Sequence, residues 1–231
     1  MSGNAECILQ AVNVHRVFGR GGEAVHALRG VHLTVPRGKV VALKGRSGSG
    51  KTTLLNLFAA LDTPTEGKIY YEGRDLTALG EREKDELRRK EIALVFQSFG
   101  LVSYMSAYEN VEFAMRVAGV PPAQRRERAL AALEFVGLKE RMHHRPQEMS
   151  GGEQQRTAIA RAIAHKPKLL LADEPTAEVD SRMGFQIIKL FRDLTEREGI
   201  SVVMTTHDPA IMDVVDIVYA LEDGQIVESS E

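Results

Sequence analysis

The chain has 231 residues, 43% hydrophobic and 27% charged, the proportions of an ordinary globular protein rather than a disordered tail or a fibrous repeat. Thirty basic residues against thirty-two acidic ones leave a net charge of −2, which excludes a chain that grips nucleic acid through overall basicity. A single cysteine, Cys7, makes neither an internal disulfide nor a cysteine metal cage, as suits a reducing compartment.

In chain order, residues 7–20 alternate as a strand through Ile8, Ala11, Val12, Val14 and Val17, and Gly19, Gly21 and Gly22 close it. Val25–Val35 repeats the pattern and turns at Pro36-Arg37-Gly38. Lys39–Lys44 is a short buried strand, followed by a glycine-rich loop and a helix over Thr52–Leu61. Gly67–Arg74 is a strand that stops at Glu72-Gly73. Residues 81–90 are almost all charged with mixed signs, the pattern of a solvated helix face. Ile92–Phe96 is a second short apolar run. Residues 106–165 are mostly helical. Within them, Arg125–Val136 carries Ala129, Leu130, Ala132, Leu133 and Val136 on one face, with Pro121-Pro122 before it and Gly137 after it.

The last third alternates strand and helix: Lys168–Ala172, the helix Arg182–Arg197, Ser201–Thr205, Val214–Ala220, and Gln225–Val227 beyond a turn at Gly224. Such alternation predicts an α/β fold with a mainly parallel core sheet. The antiparallel pattern near the start predicts a β subdomain, and the helical middle an inserted lobe. The expected division is one domain over 1–231, with a nucleotide-binding core at 7–96 and 166–231 and the lobe at 97–165. Apolar runs such as Leu169–Ala172 fall far short of the ~18–20 residues of a membrane helix. Met1–Glu6 has no basic segment followed by an apolar one. The expectation is a cytoplasmic chain, held at a membrane only by another chain.

Gly45-Arg46-Ser47-Gly48-Ser49-Gly50-Lys51-Thr52 matches the phosphate-loop pattern at every required position, between an apolar strand and a helix. Its glycines let backbone N–H groups curl around one phosphate chain, and the helix presents its positive end to the same anion. Lys51 is placed to reach the terminal phosphates and the Thr52 hydroxyl to bind Mg²⁺; Thr53 continues the helix beside them. Leu169–Ala172 ends in Asp173-Glu174. Ligands bind at the carboxyl ends of parallel strands, so Asp173 is expected to meet the Mg²⁺. Glu174 is expected on the opposite side, toward an attacking water.

A second glycine pattern, Met149-Ser150-Gly151-Gly152-Glu153, opens another helix. Ser150 and Glu153 form a capping box, which leaves the glycines unexplained, since each costs a helix about 0.5–1 kcal/mol. Bare backbone there suits close approach by an anion. Two phosphate-binding helix starts with one phosphate-loop lysine point to a symmetric dimer, each nucleotide lying between one chain's loop and the other chain's Ser150–Glu153.

These residues resemble the nucleotide-binding subunit of the ATP-binding cassette (ABC) family, over roughly residues 8–228. Ser150–Gln154 resembles its signature, Val95-Phe96-Gln97 its Q-loop, Asp180 its D-loop aspartate and Thr205-Thr206-His207-Asp208 its switch-histidine segment. The resemblance implies that Gln97 touches Mg²⁺ and the water, that His207 contacts the γ-phosphate, and that Phe18 stacks on adenine. It implies ATP and Mg²⁺ as cofactors, with Glu174 as general base and Lys51 holding the nucleotide.

Within the family, Val25–Val31, Gly45–Leu55, Phe96–Leu101 and Glu109-Asn110-Val111 resemble the macrolide-exporter, lipoprotein-releasing and cell-division transporter ATPases. Met149 stands where leucine is usual, and Ala177-Glu178-Val179 where Gly-Asn-Leu is commoner. Implied partners are a second copy and an integral-membrane permease, with no nucleic acid. The permease is expected to dock beside the Q-loop, where Phe99, Leu101, Val102, Tyr104, Met105 and Tyr108 cluster; lobe core is the other reading of that cluster. A soluble repair or translation ATPase lacks support, since no long coiled coil or second cassette is present. An ATP-gated regulatory module that moves no cargo is the alternative function.

Overall fold

The structure, a computed structural model, describes residues 7–19 and 21–230. The expectations for Met1–Glu6, and for Arg20 as part of the first strand, lie outside the described residues. Two sheets carry the fold. The first is antiparallel, formed by β1 (Cys7–Phe18), β2 (Val25–Pro36), β4 (Glu66–Tyr71) and β5 (Arg74–Asp75) in the order β2-β1-β4-β5. The second runs β10-β9-β3-β8-β7-β6, from β3 (Val40–Lys44), β6 (Ile92–Val95), β7 (Leu169–Ala172), β8 (Ser201–Thr206), β9 (Ile217–Glu222) and β10 (Gln225–Ser230). Only the β9–β10 pair is antiparallel in that sheet.

Strand periodicity sorts the core into two layers, because successive side chains face opposite ways. Val40, Ala42, Leu170, Ala172, Val202 and Met204 share one apolar cluster with the helical middle of the chain. Val41, Leu43, Leu169, Leu171 and Val203 share the other with the antiparallel sheet. All of these are fully buried, so these strands read as continuous apolar runs, as parallel strands covered on both faces do.

Helix α1 (Lys51–Phe58) begins one residue earlier and ends sooner than the pattern predicts; Ala60 stands in the left-handed region at φ 52° and stops it. Helix α2 (Glu81–Lys90) is the charged segment. It is solvated except for Leu87 and the Lys84 stem, whose ammonium bonds Glu81 at 2.9 Å. Helices α3 (Ala107–Val117), α4 (Pro122–Phe135) and α5 (Gly151–Ile163) form the helical middle, and α6 (Ser181–Glu198) returns the chain to β8. Gly137, at φ 71°, follows α4 as predicted.

A boundary difference with a clear cause lies at the last parallel strand. Residues 209–214 form a 3₁₀ turn, and β9 starts only at Ile217. Asp216 explains the delay: its Oδ2 accepts the Val40 N–H at 2.8 Å, and its other oxygen pairs with Lys39.

Candidate functional site

The glycines at 45, 48 and 50 have separate reasons. A side chain on Gly45 would strike the Leu221 carbonyl at 2.4 Å, and one on Gly50, at φ 104°, the Ala27 carbonyl at 2.5 Å. Gly48 adopts φ 80° and faces open space. The loop is thus pressed against β2 and β9 while its middle stays clear. A backbone bond from the Gly224 N–H to the Ser49 carbonyl (3.1 Å) anchors it to the β9–β10 turn.

Lys51 is buried and folds back on its own loop, its Nζ donating to the carbonyls of Gly45 (2.8 Å) and Arg46 (3.0 Å). It also lies 3.9 Å from Glu174 Oε1. The Thr52 hydroxyl donates to Asp173 Oδ2 at 3.0 Å. The fold thus brings Thr52 and Asp173 together from 121 residues apart in sequence. Hydroxyl and carboxylate oxygens are the hard donors a magnesium ion takes, so this pair fits that ion.

Glu174 departs from the strand rule. Strand β7 stops at Ala172, and Glu174 takes φ 44°, so the period-two alternation no longer sets its direction. Its carboxylate reaches into the same cleft as Lys51, with His207 Nδ1 3.4 Å from Oε2. That cleft, about 640 Å³, is lined by Arg46, Ser47, Gly48, Gly50, Lys51, Thr52, Thr53, Gln97, Glu174 and His207, and on its far wall by Val25, His26 and Ala27.

Phe18 pairs with Val25 at the cleft's edge and is 42% exposed. The Arg16 guanidinium lies 4.4 Å from its ring centroid and is itself held by two 2.8 Å bonds to Asp62.

The second glycine pattern lies elsewhere. Ser150 caps α5, accepting from the Glu153 N–H at 3.3 Å, while Glu153 Oε2 accepts from the Ser150 N–H at 2.9 Å. The Ser150 backbone bond holds the Glu153 carboxyl below its usual range. The two glycines have a reason within the chain that the sequence does not disclose. A side chain on Gly151 would sit 3.1 Å from the Glu178 carbonyl, and one on Gly152 3.0 Å from Met183. The segment after Glu174 thus packs directly on the start of α5. Asp180 caps α6 by accepting the Met183 N–H at 3.0 Å. Ser150, Gly151, Gly152, Glu153 and Asp180 do not line the cleft that holds Lys51.

Residues 28–177 match the family model described as ABC transporter. The chain belongs to the ABC transporter family. It is an ATP-binding, ATP-hydrolysing subunit of the type that drives such transporters. It is 42% identical to the lipoprotein-releasing system ATP-binding protein LolD of Bdellovibrio bacteriovorus, over 94% of this chain and 99% of that one. It is 42% identical to the macrolide export ATP-binding/permease protein MacB of Marinobacter nauticus, covering 96% of this chain but 34% of that longer protein. A dimeric ATP-binding cassette, MJ0796, in a post-hydrolysis state with ADP and phosphate superposes with a TM-score of 0.88 at 37% identity, over 96% of this chain and 98% of that one.

In this ABC ATPase the cluster after Gln97 divides. Tyr104 is 71% exposed, whereas Phe99, Leu101 and Tyr108 pack against the core and Met105 is half-buried. A groove of about 540 Å³ beside it is lined by Val102, Phe113, Val117, Arg161 and His165 among others. Arg161 fixes its lip, donating to the carbonyls of Phe99 (2.8 Å) and Gly100. Sequence reasoning gave Arg16 and Asp62 no part in the site, and named Thr205 only within the switch-histidine segment, without its bond to Asp173. Thr205 was readable as a hydroxyl at the carboxyl end of a central strand, the position that drew attention to Asp173.

Proposed function

We propose that this ABC ATPase hydrolyses Mg-ATP at two composite sites in a homodimer, and that closing and opening of the pair works a separate membrane permease. The observation that carries this is the split site: the cleft gathers Lys51, Thr52, Gln97, Glu174 and His207 but none of Ser150–Glu153. A second copy, supplying its own α5 start, completes each pocket. The dimeric relative with ADP and phosphate supports the same arrangement, and LolD and MacB support a membrane partner that exports or extracts lipoprotein, with this chain attached to the inner face of the cell membrane. No described helix is long and apolar enough to cross a membrane.

In this reading Gly45–Thr53 cradle the phosphates, Phe18 stacks on adenine, and Lys51 exchanges its loop carbonyls for the terminal phosphate oxygens. Thr52 and Asp173, with Gln97 beside them, hold Mg²⁺, which neutralises charge on the phosphates. Glu174 accepts a proton from water as the water oxygen bonds to the γ-phosphorus and the bond to the β-phosphate oxygen breaks, releasing ADP. His207, beside Glu174, reaches the γ-phosphate and orients the water together with Gln97. Ser150, Gly151, Gly152 and Glu153 of the second copy face the γ-phosphate from the opposite side, and Asp180 lies at the seam between copies. Positioning and charge stabilisation carry the rate, because phosphoryl transfer asks little covalent chemistry of the protein.

Glu174→Gln tests the whole. It is expected to bind ATP, to lose turnover by about 10²- to 10⁴-fold, and to elute as a dimer with Mg-ATP. Unchanged turnover rejects the base assignment, and a monomer under saturating Mg-ATP rejects the shared pocket.

A further inference from the structure

Thr205 stands near the carboxyl end of β8 and is completely buried, at 0% exposure. The register pairs Ala172 with Met204, so Thr205 is level with Asp173, just past the end of β7. Its hydroxyl makes two bonds at once. It donates to Asp173 Oδ1 at 2.7 Å and accepts the Glu174 backbone N–H at 2.8 Å. A hydroxyl has one proton to give and lone pairs to receive with, so both bonds are met by one rotamer. A β-branched side chain has few other rotamers to visit. The adjacent Thr206 serves a different segment, accepting the Asp208 N–H at 3.0 Å.

Glu174 is the residue that needs such a hold. At φ 44° it occupies the left-handed region, which a non-glycine residue keeps only when its surroundings over-determine it. Asp173 meanwhile receives the Thr205 hydroxyl on Oδ1 and the Thr52 hydroxyl across both oxygens, nearer to Oδ2 (3.0 Å against 3.2 Å). One buried group therefore fixes the direction of the Asp173 carboxylate and the backbone from which the Glu174 carboxylate hangs.

We propose that Thr205 is a positioning residue for hydrolysis, a buried hydroxyl that locks Asp173 and Glu174 in one relative geometry so that the metal side and the water side of the site are set together. Fully buried, it acts through these two residues. The inference rests on the roles given above to Asp173 and Glu174. Partners that orient metal-binding groups are worth about 10- to 100-fold in metal affinity or activity when removed, and the effect here is expected in that range.

The test compares T205V, which keeps the shape and removes the hydroxyl, with T205S, which keeps the hydroxyl. Steady-state hydrolysis is measured for the intact chain. Mn²⁺ affinity is measured by electron paramagnetic resonance on the ATP complex, with each change placed in a Glu174→Gln background so that nucleotide survives. T205V is expected to lower kcat about 10- to 100-fold, to leave KM for ATP within about twofold, and to weaken Mn²⁺ binding. T205S is expected to recover both quantities to within a few-fold of the parent.

Wild-type kcat and Mn²⁺ affinity in T205V overturn the proposal. So does a T205S protein as impaired as T205V, which assigns the position to packing. A loss of kcat that merely follows loss of folded protein, read by thermal melting of both variants, overturns it as well. A parent chain that fails to hydrolyse ATP at all is a separate result, and rejects the function rather than the role of Thr205.

Discussion

Phe18 is backed by a cation that is itself tied down. With Arg16 over the ring and Asp62 gripping Arg16, Phe18 is still 42% exposed, which suits the stacking of adenine proposed for it. Cation–π contact is worth about 0.5–1 kcal/mol at exposed sites, so Arg16→Ala is expected to weaken ATP binding roughly two- to fivefold with kcat nearly unchanged. Equilibrium titration in the Glu174→Gln background measures it, and Phe18→Ala is expected to lose more. Legibility at this scale followed chain proximity. Gly45–Thr52 could be read because its chemistry is contiguous. Arg16 with Asp62, 46 residues apart, and Thr205 with Asp173, 32 apart, become partners only on folding. A threonine ending a strand looks like an ordinary β-former, and nothing in its neighbours announces the carboxylate it meets.

Helix α5 joins two demands on one turn, a cap and a close approach. The obstacle to a side chain at Gly151 is a backbone carbonyl, whereas at Gly152 it is the flexible end of Met183. Removing a helical glycine otherwise gains about 0.5–1 kcal/mol. Gly152→Ala is therefore expected to be neutral or slightly stabilising in the nucleotide-free chain, and Gly151→Ala to destabilise by about 1 kcal/mol. Urea midpoints of the two variants give the comparison. Element types followed from periodicity nearly throughout, since β3 and β7 are apolar at every buried position, β8 is apolar over Val202–Met204, and α6 carries a clear stripe. Boundaries were set by tertiary partners instead. Asp216, bonded to Val40, delays β9, and the turn of Glu174 out of β7 breaks an alternation that a straight strand would have kept.

Across the molecule, His165 links stability to pH. Both its ring nitrogens are shielded and without a partner, and burial pushes the imidazole down from 6.5 to about 4. Its groove is also lined by Asp85, Arg88, Arg89 and Arg161. The folded state holds it neutral while the unfolded chain takes up a proton near its ordinary value. Its contribution is thus complete above about pH 6.5 and is lost as the pH falls toward 4, on the order of 3 kcal/mol in all. His165→Leu is expected to flatten the decline in unfolding free energy between pH 7 and 5.

The same groove, walled by exposed Phe113 and Val117, is where we propose that a permease segment seats, with exposed Tyr104 on the same segment as its Val102 wall. Tyr104→Ala with Phe113→Ala is expected to spare ATPase activity of the isolated chain and to abolish its stimulation by the membrane partner, read in reconstituted vesicles. Of the six residues that sequence alone put forward for that role, Phe99, Leu101 and Tyr108 pack against the core, and Met105 is half-buried. The two-sheet plan was legible because alternation and continuous apolar runs are different sequence patterns. Which of the lobe's aromatic residues face outward was not, because a helix surface and a loop beside it use the same residue types inside and out.

Lys51 closes its own circuit. With its ammonium held by the carbonyls of Gly45 and Arg46, the buried charge is compensated inside the chain. Replacing Lys51 therefore takes two bonds out of the loop itself, apart from any contact it is proposed to make with phosphate.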